Sequence, residues 1–322
     1  MTDRVQRQTL GFSSSDGSSQ LKGLLWRSSA STSSPRGIVQ IVHGMSEYVG
    51  RYEEFAEALA AVGFVVCGHD HIGHGKSVSD AADLGHIPLA AGAQALIDDV
   101  DALRRLVAAR YARNTPYYLF GHSMGSFIVQ AYLQEHWAGL AGAVLCGTGC
   151  QPVLVSRLGN KLARLIARRR GERAVSTLLF RLADGAYARA VENPRTSFDW
   201  LSHNESNVDA YCADELCGVR FTAAGYAALT DLTERAARVD RACSVPVDLP
   251  LLYIAGAEDP VGACGRGVEA AADVMRCAGV QDVMVKLYDG MRHEILNEEG
   301  RRQVYDDVIA WLDAHGARPQ RG

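Results

Sequence analysis

The apolar residues of this chain follow two patterns. Residues 5–12 and 20–26 alternate between apolar and polar positions, which is typical of antiparallel strands with one buried face. From residue 38 onward, short unbroken apolar runs alternate with stretches of helical periodicity. Such runs indicate strands that are buried on both faces. They predict strands at 38–42, 64–67, 117–120, 143–146, 251–254 and 283–288, and the intervening periodicity predicts helices at 52–62, 93–111, 126–136 and 301–314.

The order of these elements indicates the fold class. Strands that alternate with helices form a mostly parallel central sheet flanked by helices, so we predict an α/β fold. The alternation stops between residues 147 and 246, where helical periodicity takes over. A long helical insertion after a core strand predicts a helical cap. We therefore assign residues 1–150 and 229–322 to the core and residues 151–228 to the cap.

Composition excludes several functional classes. The formal net charge is −4 and 48% of the residues are apolar, which is the balance of an ordinary globular protein and not of a nucleic-acid-binding one. The first ten residues are polar, and no apolar run reaches the roughly 18 residues of a membrane span. The eight cysteines have no spacing typical of disulfides or metal sites. We therefore predict a cytoplasmic protein with no nucleic-acid partner.

The most informative segment is Gly-His-Ser-Met-Gly at residues 121–125, directly after the apolar run at 117–120. A Gly-x-Ser-x-Gly motif at a strand-to-helix turn is a nucleophile elbow, in which the serine hydroxyl stands clear of the sheet edge. The two glycines allow the neighbouring backbone to approach closely. This context predicts that Ser123 is the nucleophile of an α/β-hydrolase fold.

A serine nucleophile needs a base, and the base needs an acid that orients it. In α/β-hydrolases the acid and the histidine follow the serine in that order, each on a loop after a strand. Asp259 and His293 each lie in a loop directly after a predicted strand. We therefore predict a triad of Ser123, His293 and Asp259. Glu258 and Asp289 are the alternatives for the acid.

Two further segments complete a resemblance to a known family. Residues 43–47 read His-Gly-Met-Ser-Glu, and residues 69–77 read His-Asp-His-Ile-Gly-His-Gly-Lys-Ser. Together with the elbow and the two loops, they resemble the monoacylglycerol lipase and lysophospholipase branch of the α/β-hydrolases, also grouped as the serine aminopeptidase S33-like family. The resemblance implies an oxyanion hole formed by the backbone amides of Met45 and Met124, and a reaction that requires no cofactor.

The resemblance also implies a serine ester hydrolase that forms an acyl-enzyme, with a monoacylglycerol or a lysophospholipid as its small-molecule substrate. A general carboxylesterase, an aminopeptidase and an acyltransferase use the same triad, so they stay open as alternatives. From a different class, the alternative is a ligand-binding protein that has kept the fold without catalysis. The sequence indicates no oligomeric state.

The predicted cap contains more leucine than a small cap needs for its own packing. We therefore predict that the cap forms an apolar tunnel over Ser123 and binds an acyl chain there. The predicted lining residues are Leu158, Leu162, Leu178 and Leu179, with Val153, Leu154 and Leu182 as further candidates.

The first cap helix carries basic residues at helical spacing. One interpretation is a solvated charged face over a packed apolar face. The other is peripheral contact with an anionic membrane surface. We favour the first and keep the second as the alternative. The basic positions are Arg157, Lys161, Arg164 and Arg168, and the apolar positions are Leu158, Leu162, Leu165 and Ile166.

Two other groups of polar residues have more than one interpretation. His69, His71 and His74 are a candidate metal cluster, since imidazoles are common zinc ligands. Because no fourth ligand at a conventional spacing accompanies them, we predict no metal site. Glu47 and Arg51 lie four residues apart, and we predict that they form an ion pair that holds a loop.

Overall fold

The computed structural model describes residues 5–29, 34–183 and 185–316 of the chain. Within these residues, eight strands form one sheet. In chain order they are β1 (Val5–Ser13), β2 (Gln20–Ser28), β3 (Ile38–Val42), β4 (Val65–His69), β5 (Tyr117–His122), β6 (Gly142–Cys146), β7 (Leu251–Gly256) and β8 (Val283–Tyr288).

The strand order across the sheet is β1-β2-β4-β3-β5-β6-β7-β8. β1 and β2 pair antiparallel, β2 pairs antiparallel with β4, and every pairing from β4 to β8 is parallel. The segments with alternating polarity therefore form the antiparallel end of the sheet, and the unbroken apolar runs form its parallel part. The prediction of a mostly parallel central sheet is confirmed.

Eleven α-helices of at least four residues lie within the described residues. None of them combines the length and the apolar character that crossing a membrane requires. In chain order they are α1 (Glu53–Ala61), α2 (Gly92–Ala108), α3 (Met124–His136), α4 (Val153–Arg170), α5 (Thr177–Ala183), α6 (Gly185–Ala188), α7 (Glu205–Ala213), α8 (Ala223–Ala236), α9 (Val239–Ala242), α10 (Arg266–Cys277) and α11 (Arg301–His315).

The sheet is buried on both faces because helices cover both sides of it. α1 and α11 pack on one face, where Tyr118 and Phe120 of β5 join their apolar residues. α2, α3, α8 and α10 pack on the other face, where Leu119 of β5 points. Successive residues of one apolar run thus alternate between two separate cores, which explains why the run has no polar position.

The helices α4 to α7 form an insertion between β6 and the later strands. The predicted cap boundary at residue 228 falls inside α8, which is continuous and packs against both α3 of the core and α4 of the insertion. A domain boundary does not divide a packed helix, so the boundary needs correction. We propose that the cap ends at Thr222, whose side chain accepts a hydrogen bond from the Gly225 amide and caps α8.

Candidate active site

Ser123 lies at the turn between β5 and α3 with φ 53° and ψ −121°, a conformation that non-glycine residues rarely adopt. The turn is tight on both sides. A Cβ atom at Gly121 would lie 2.5 Å from the carbonyl oxygen of Gly125, and one at Gly125 would collide with the carbonyl of Val42. The Ser123 amide donates to the carbonyl of Cys146 on the next strand, at 2.9 Å. These contacts hold the serine in its strained position at the sheet edge.

The ends of β7 and β8 place the predicted acid and base side by side. The Nδ1 atom of His293 lies 2.9 Å from a carboxylate oxygen of Asp259, and both side chains are buried. The other carboxylate oxygen of Asp259 accepts from the Val261 amide at 2.9 Å. The two loops are joined where the Glu258 amide donates to the Met291 carbonyl at 3.0 Å. The acid therefore fixes which ring nitrogen of His293 carries the proton.

The alternative acids point elsewhere. The Glu258 side chain is 52% exposed and its carboxylate lies 2.8 Å from Nε2 of His203, on the protein surface. Asp289 is exposed at the end of β8. The geometry therefore favours Asp259 as the partner of His293.

Two opposing effects act on the pKa of His293. Burial of the imidazole lowers the pKa. The charge and hydrogen bond of the Asp259 carboxylate, together with the charges of Glu294 and Glu47, raise it by more. The pKa of His293 is therefore raised from its ordinary value of 6.5. A raised pKa makes the imidazole a stronger base once it has lost its proton.

The two predicted oxyanion donors lie close to Ser123. Met124 is the first residue of α3, where backbone amides have no helical partner. The turn that carries Met45 approaches the nucleophile so closely that a Cβ atom at Gly44 would lie 3.1 Å from the Cβ atom of Ser123. Among the described residues, neither the Met45 amide nor the Met124 amide donates to another protein group. Two free amides beside a serine can stabilise an oxyanion.

A cavity of about 570 Å³ lies over these residues, and Ser123 and His293 both line it. The described hydrogen bonds include none between the two side chains, and such a contact often shortens only when substrate binds. Most of the lining is apolar. The cap contributes Val155, Leu158, Leu162, Leu179, Phe180, Leu182, Tyr187, Phe198, Trp200 and Tyr211, among others.

The structure places three of the four main predicted cap residues at the cavity. Leu158, Leu162 and Leu179 line it, and Leu182 does so as well. Leu178 does not line it and is 52% exposed, so that prediction is wrong. The reason is helical geometry, because neighbouring residues on a helix point about 100° apart. When Leu179 on α5 turns inward, Leu178 points away.

One cap segment that the sequence did not place at the site covers the base. The ring of Trp200 lies 5.2 Å from the imidazole of His293. The segment is held there by two hydrogen bonds, from the Glu294 amide to the Leu201 carbonyl at 2.7 Å and from the Arg292 side chain to the Asp199 carbonyl at 2.7 Å. The two aromatic residues Phe198 and Trp200 are the signal in the sequence, but their position relative to His293 depends on tertiary contacts.

The predicted ion pair of Glu47 and Arg51 belongs to a larger buried network. Arg51 lies 3.2 Å from a carboxylate oxygen of Glu47 and makes two bonds, of 2.5 and 2.8 Å, to Glu294. Burial raises the pKa of Glu294, but Arg51, together with the hydrogen bond from Asn207, lowers it by more, so that the pKa is about 2. Burial also raises the pKa of Glu47. The network joins the Met45 turn to the residue that follows His293.

The three candidate metal histidines, His69, His71 and His74, are buried, and two of them bond to the backbone. His71 and His74 donate from their rings to the backbone carbonyls of His43 and Ile72, at 3.2 and 2.9 Å. The ring of His71 packs 4.0 Å from that of His43. Burial lowers the pKa of His69 to about 3 and that of His74 to about 4. These neutral rings pack against one another and against His43, the residue before the turn that carries Met45.

A family model described as serine aminopeptidase, S33, matches residues 33–300, a range that includes the elbow and both loops. The chain belongs to this family. Members of the family have the α/β-hydrolase fold that the elbow predicts. The mostly parallel eight-stranded sheet of this chain agrees with that fold.

Individual relatives are similar to this chain over most of its length. A monoacylglycerol lipase of Mycolicibacterium smegmatis is 32% identical over 293 residues, which are 87% of this chain and 89% of that protein. The monoglyceride lipase of Homo sapiens is 26% identical over 89% of this chain and 85% of its own. Among solved structures, a thermostable carboxyl esterase from Bacillus coagulans in complex with glycerol matches with a TM-score of 0.88 and 30% identity, covering 97% of this chain and 99% of that chain.

Proposed function

We propose that this serine ester hydrolase cleaves monoacylglycerols, with Ser123, His293 and Asp259 as its triad and the cap as its acyl-binding part. The observation that carries the proposal is the position of Ser123, on a strained elbow beneath a largely apolar cavity that His293 also lines. The names of the M. smegmatis and human relatives support the choice of substrate. A lysophospholipid is the competing substrate.

The proposed reaction follows the arrangement of the side chains. Because Nδ1 of His293 donates to Asp259, Nε2 is free to accept the Ser123 proton as the hydroxyl oxygen attacks the ester carbonyl carbon. The amides of Met45 and Met124 then donate to the oxyanion. His293 returns the proton to the oxygen of the leaving alcohol. Water attacks the acyl-enzyme by the same route and releases the fatty acid.

An aminopeptidase activity has less support from the cavity. An enzyme that selects a free α-ammonium group needs a carboxylate that is available to pair with it. Among the described residues that line the cavity, the carboxylates are Glu47 and Glu294, and both are engaged by Arg51. The apolar lining favours an acyl chain instead.

The cap should make the reaction depend on acyl length. Each buried methylene contributes ~0.8 kcal/mol, or about fourfold in binding. We therefore expect kcat/KM for monoacyl esters to rise from C2 until the cavity is filled and then to level off. Leu158→Trp and Leu179→Trp should level off at a shorter chain. Initial rates on esters from C2 to C18, each below its aggregation concentration, measure this.

Leu178→Trp is the matched control, since Leu178 neighbours Leu179 on α5 but does not line the cavity. It should keep the wild-type length profile. A wild-type preference for acetate or butyrate esters would reject the lipase proposal in favour of a general carboxylesterase. Lysophospholipids and aminoacyl anilides in the same panel test the remaining alternatives.

The exposed side of α4 bears on membrane contact. The face of α4 that is buried consists of small residues, Ser156, Ala163 and Ala167. Leu154 and Leu158 are 67% and 57% exposed. The favoured interpretation, a charged face over a packed apolar face, therefore agrees with only half of the predicted apolar positions. Leu162 and Ile166 pack against the core, whereas Leu158 and Leu165 are exposed. We infer that α4 contacts an anionic lipid surface, where apolar and basic residues of one helix act together.

Leu154→Asp should weaken the binding of the protein to phosphatidylglycerol vesicles by roughly tenfold or more, because burying a leucine in lipid contributes about 1.5–3 kcal/mol. Leu154 does not line the cavity, so kcat on a short water-soluble ester should stay unchanged. Met284→Asp is the control, at an exposed apolar position on β8 outside the cap. Vesicle sedimentation measures the binding. Equal binding of both variants and the wild type would contradict a docking role for α4.

A further inference from the structure

The turn of residues 44–47 carries the Met45 amide, and it is held mainly by contacts outside itself. Ser46 has φ 56°, in the left-handed region that non-glycine residues avoid. A backbone of this kind persists only when the surrounding structure fixes it. The position of the Met45 amide therefore depends on what holds Ser46 and its neighbours.

The cap holds this turn on one side. The carbonyl oxygen of Ser46 accepts two hydrogen bonds from the cap, from the Tyr211 hydroxyl and from the Gly218 amide, both at 3.0 Å. The Ser46 hydroxyl donates to the cap carbonyl of Val219 at 2.6 Å. Three bonds from one cap segment thus converge on the strained residue next to Met45.

The buried ion network holds the turn on the other side. A carboxylate oxygen of Glu47 accepts from the Gly44 amide at 2.6 Å and from the Tyr52 hydroxyl at 2.7 Å, which closes the turn. Arg51 pairs with Glu47, and its second nitrogen donates to the side-chain oxygen of Asn207 on cap helix α7, at 3.1 Å. The cap therefore reaches the turn through the network as well.

Asn207 also contacts the residue that follows the base in the chain. Its side-chain nitrogen donates to Glu294 at 2.7 Å, and Glu294 follows His293 directly in the chain. The Tyr211 ring packs on the guanidinium of Arg51, 4.8 Å from its centroid. Tyr211 thus contacts the turn of residues 44–47 directly. Asn207 connects Arg51, which pairs with Glu47 of that turn, to the residue beside the base.

We propose that the cap completes the oxyanion hole, with Tyr211 and Asn207 as positioning residues for the Met45 amide. This role rests on the proposed function, because it needs an oxyanion to be stabilised. It differs from acyl-chain binding because it rests on the Tyr211 hydroxyl, which bonds to the turn, and on the Asn207 amide, which bonds to Arg51. The Tyr211 ring, which also lines the cavity, is a separate part of that side chain. Loosening the turn should weaken the transition state more than the bound substrate.

Tyr211→Phe removes the hydroxyl bond to Ser46 and keeps the ring over Arg51, and Asn207→Ala removes the link through the network. We expect kcat on a short p-nitrophenyl ester to fall roughly fivefold to tenfold in each variant, the loss that one hydrogen bond supports, with KM little changed. Affinity for an alkyl trifluoromethyl ketone, which forms an oxyanion on the serine, should fall by the same factor. Affinity for the fatty acid should not change.

Tyr253→Phe is the matched control, because the Tyr253 hydroxyl, buried in β7, has no hydrogen-bond partner within the described part of the chain and lies outside this turn. It should leave kcat and both affinities unchanged. If Tyr211→Phe and Asn207→Ala lower the melting temperature but leave the ratio of ketone to fatty-acid affinity unchanged, their role is structural and the proposal is overturned.

Hydrogen exchange separates this proposal from the proposed function. Backbone amides of residues 43–48 should exchange faster in Tyr211→Phe and Asn207→Ala than in Tyr253→Phe or the wild type. A wild type that hydrolyses no ester would contradict the proposed function, and the exchange result would still decide whether the cap holds the turn. Unchanged exchange in both variants would overturn the positioning role.

Discussion

Ser123→Ala is expected to lower kcat for ester hydrolysis by on the order of a millionfold, the loss seen when a triad loses its nucleophile. The fold should stay intact, since alanine keeps the Cβ atom and the elbow is held by backbone contacts. The Ser123 amide bond to Cys146 and the close approach of Gly125 to β3 do not involve the hydroxyl. Stopped assays with a monoacylglycerol, together with a melting curve, measure both effects.

A fluorophosphonate probe gives the control for this prediction. The probe should label the wild type and leave Ser123→Ala unlabelled, because it reacts with an activated serine only. Ser197→Ala is the matched variant, as Ser197 lines the same cavity but is not at an elbow. It should be labelled like the wild type. Residual activity of more than a few per cent in Ser123→Ala would place the nucleophile at another residue.

The sequence was sufficient to predict the sheet because local pattern and tertiary burial agree in it. In β5, residues 118, 119 and 120 are all apolar since both faces of the sheet are covered, and an unbroken apolar run of this length between turn residues is typical of such a strand. The elbow could likewise be predicted from the sequence. The Gly-x-Ser-x-Gly motif after an apolar run is typical of a strand-to-helix turn so tight that a Cβ atom at Gly121 would meet Gly125.

The cap was harder to predict because its residues are placed by contacts between distant segments. The periodicity of α5 shows that one side is apolar, but it does not say whether Leu178 or Leu179 faces the cavity. The boundary within α8 was missed for a similar reason, since the helical pattern continues unchanged where the chain returns to the core. Asn207 meets Arg51 from far along the chain, and no spacing rule predicts such a pair.

The identity of the acid is tested by Asp259→Asn, for which we expect kcat to fall about ten-thousandfold, as in the protease triad. The carboxylate of Asp259 accepts the Nδ1 proton of His293, whereas an asparagine amide can donate to Nδ1 and move the proton to Nε2. An imidazole protonated at Nε2 does not accept the serine proton. Glu258→Gln, at the neighbouring exposed carboxylate, is the control and should change kcat by less than about twofold.

The pH profile of the same variants is an independent test of which carboxylate is the acid. Asp259 holds the pKa of His293 above its ordinary value, and the base must be neutral to act. Wild-type kcat/KM should therefore be full at high pH and fall as the pH drops through a midpoint above ~6.5. In Asp259→Asn, burial acts on His293 against the charges of Glu294 and Glu47 alone, without that of Asp259, so the midpoint of the residual activity should move to lower pH. If Glu258→Gln produces this shift and Asp259→Asn does not, the acid is Glu258.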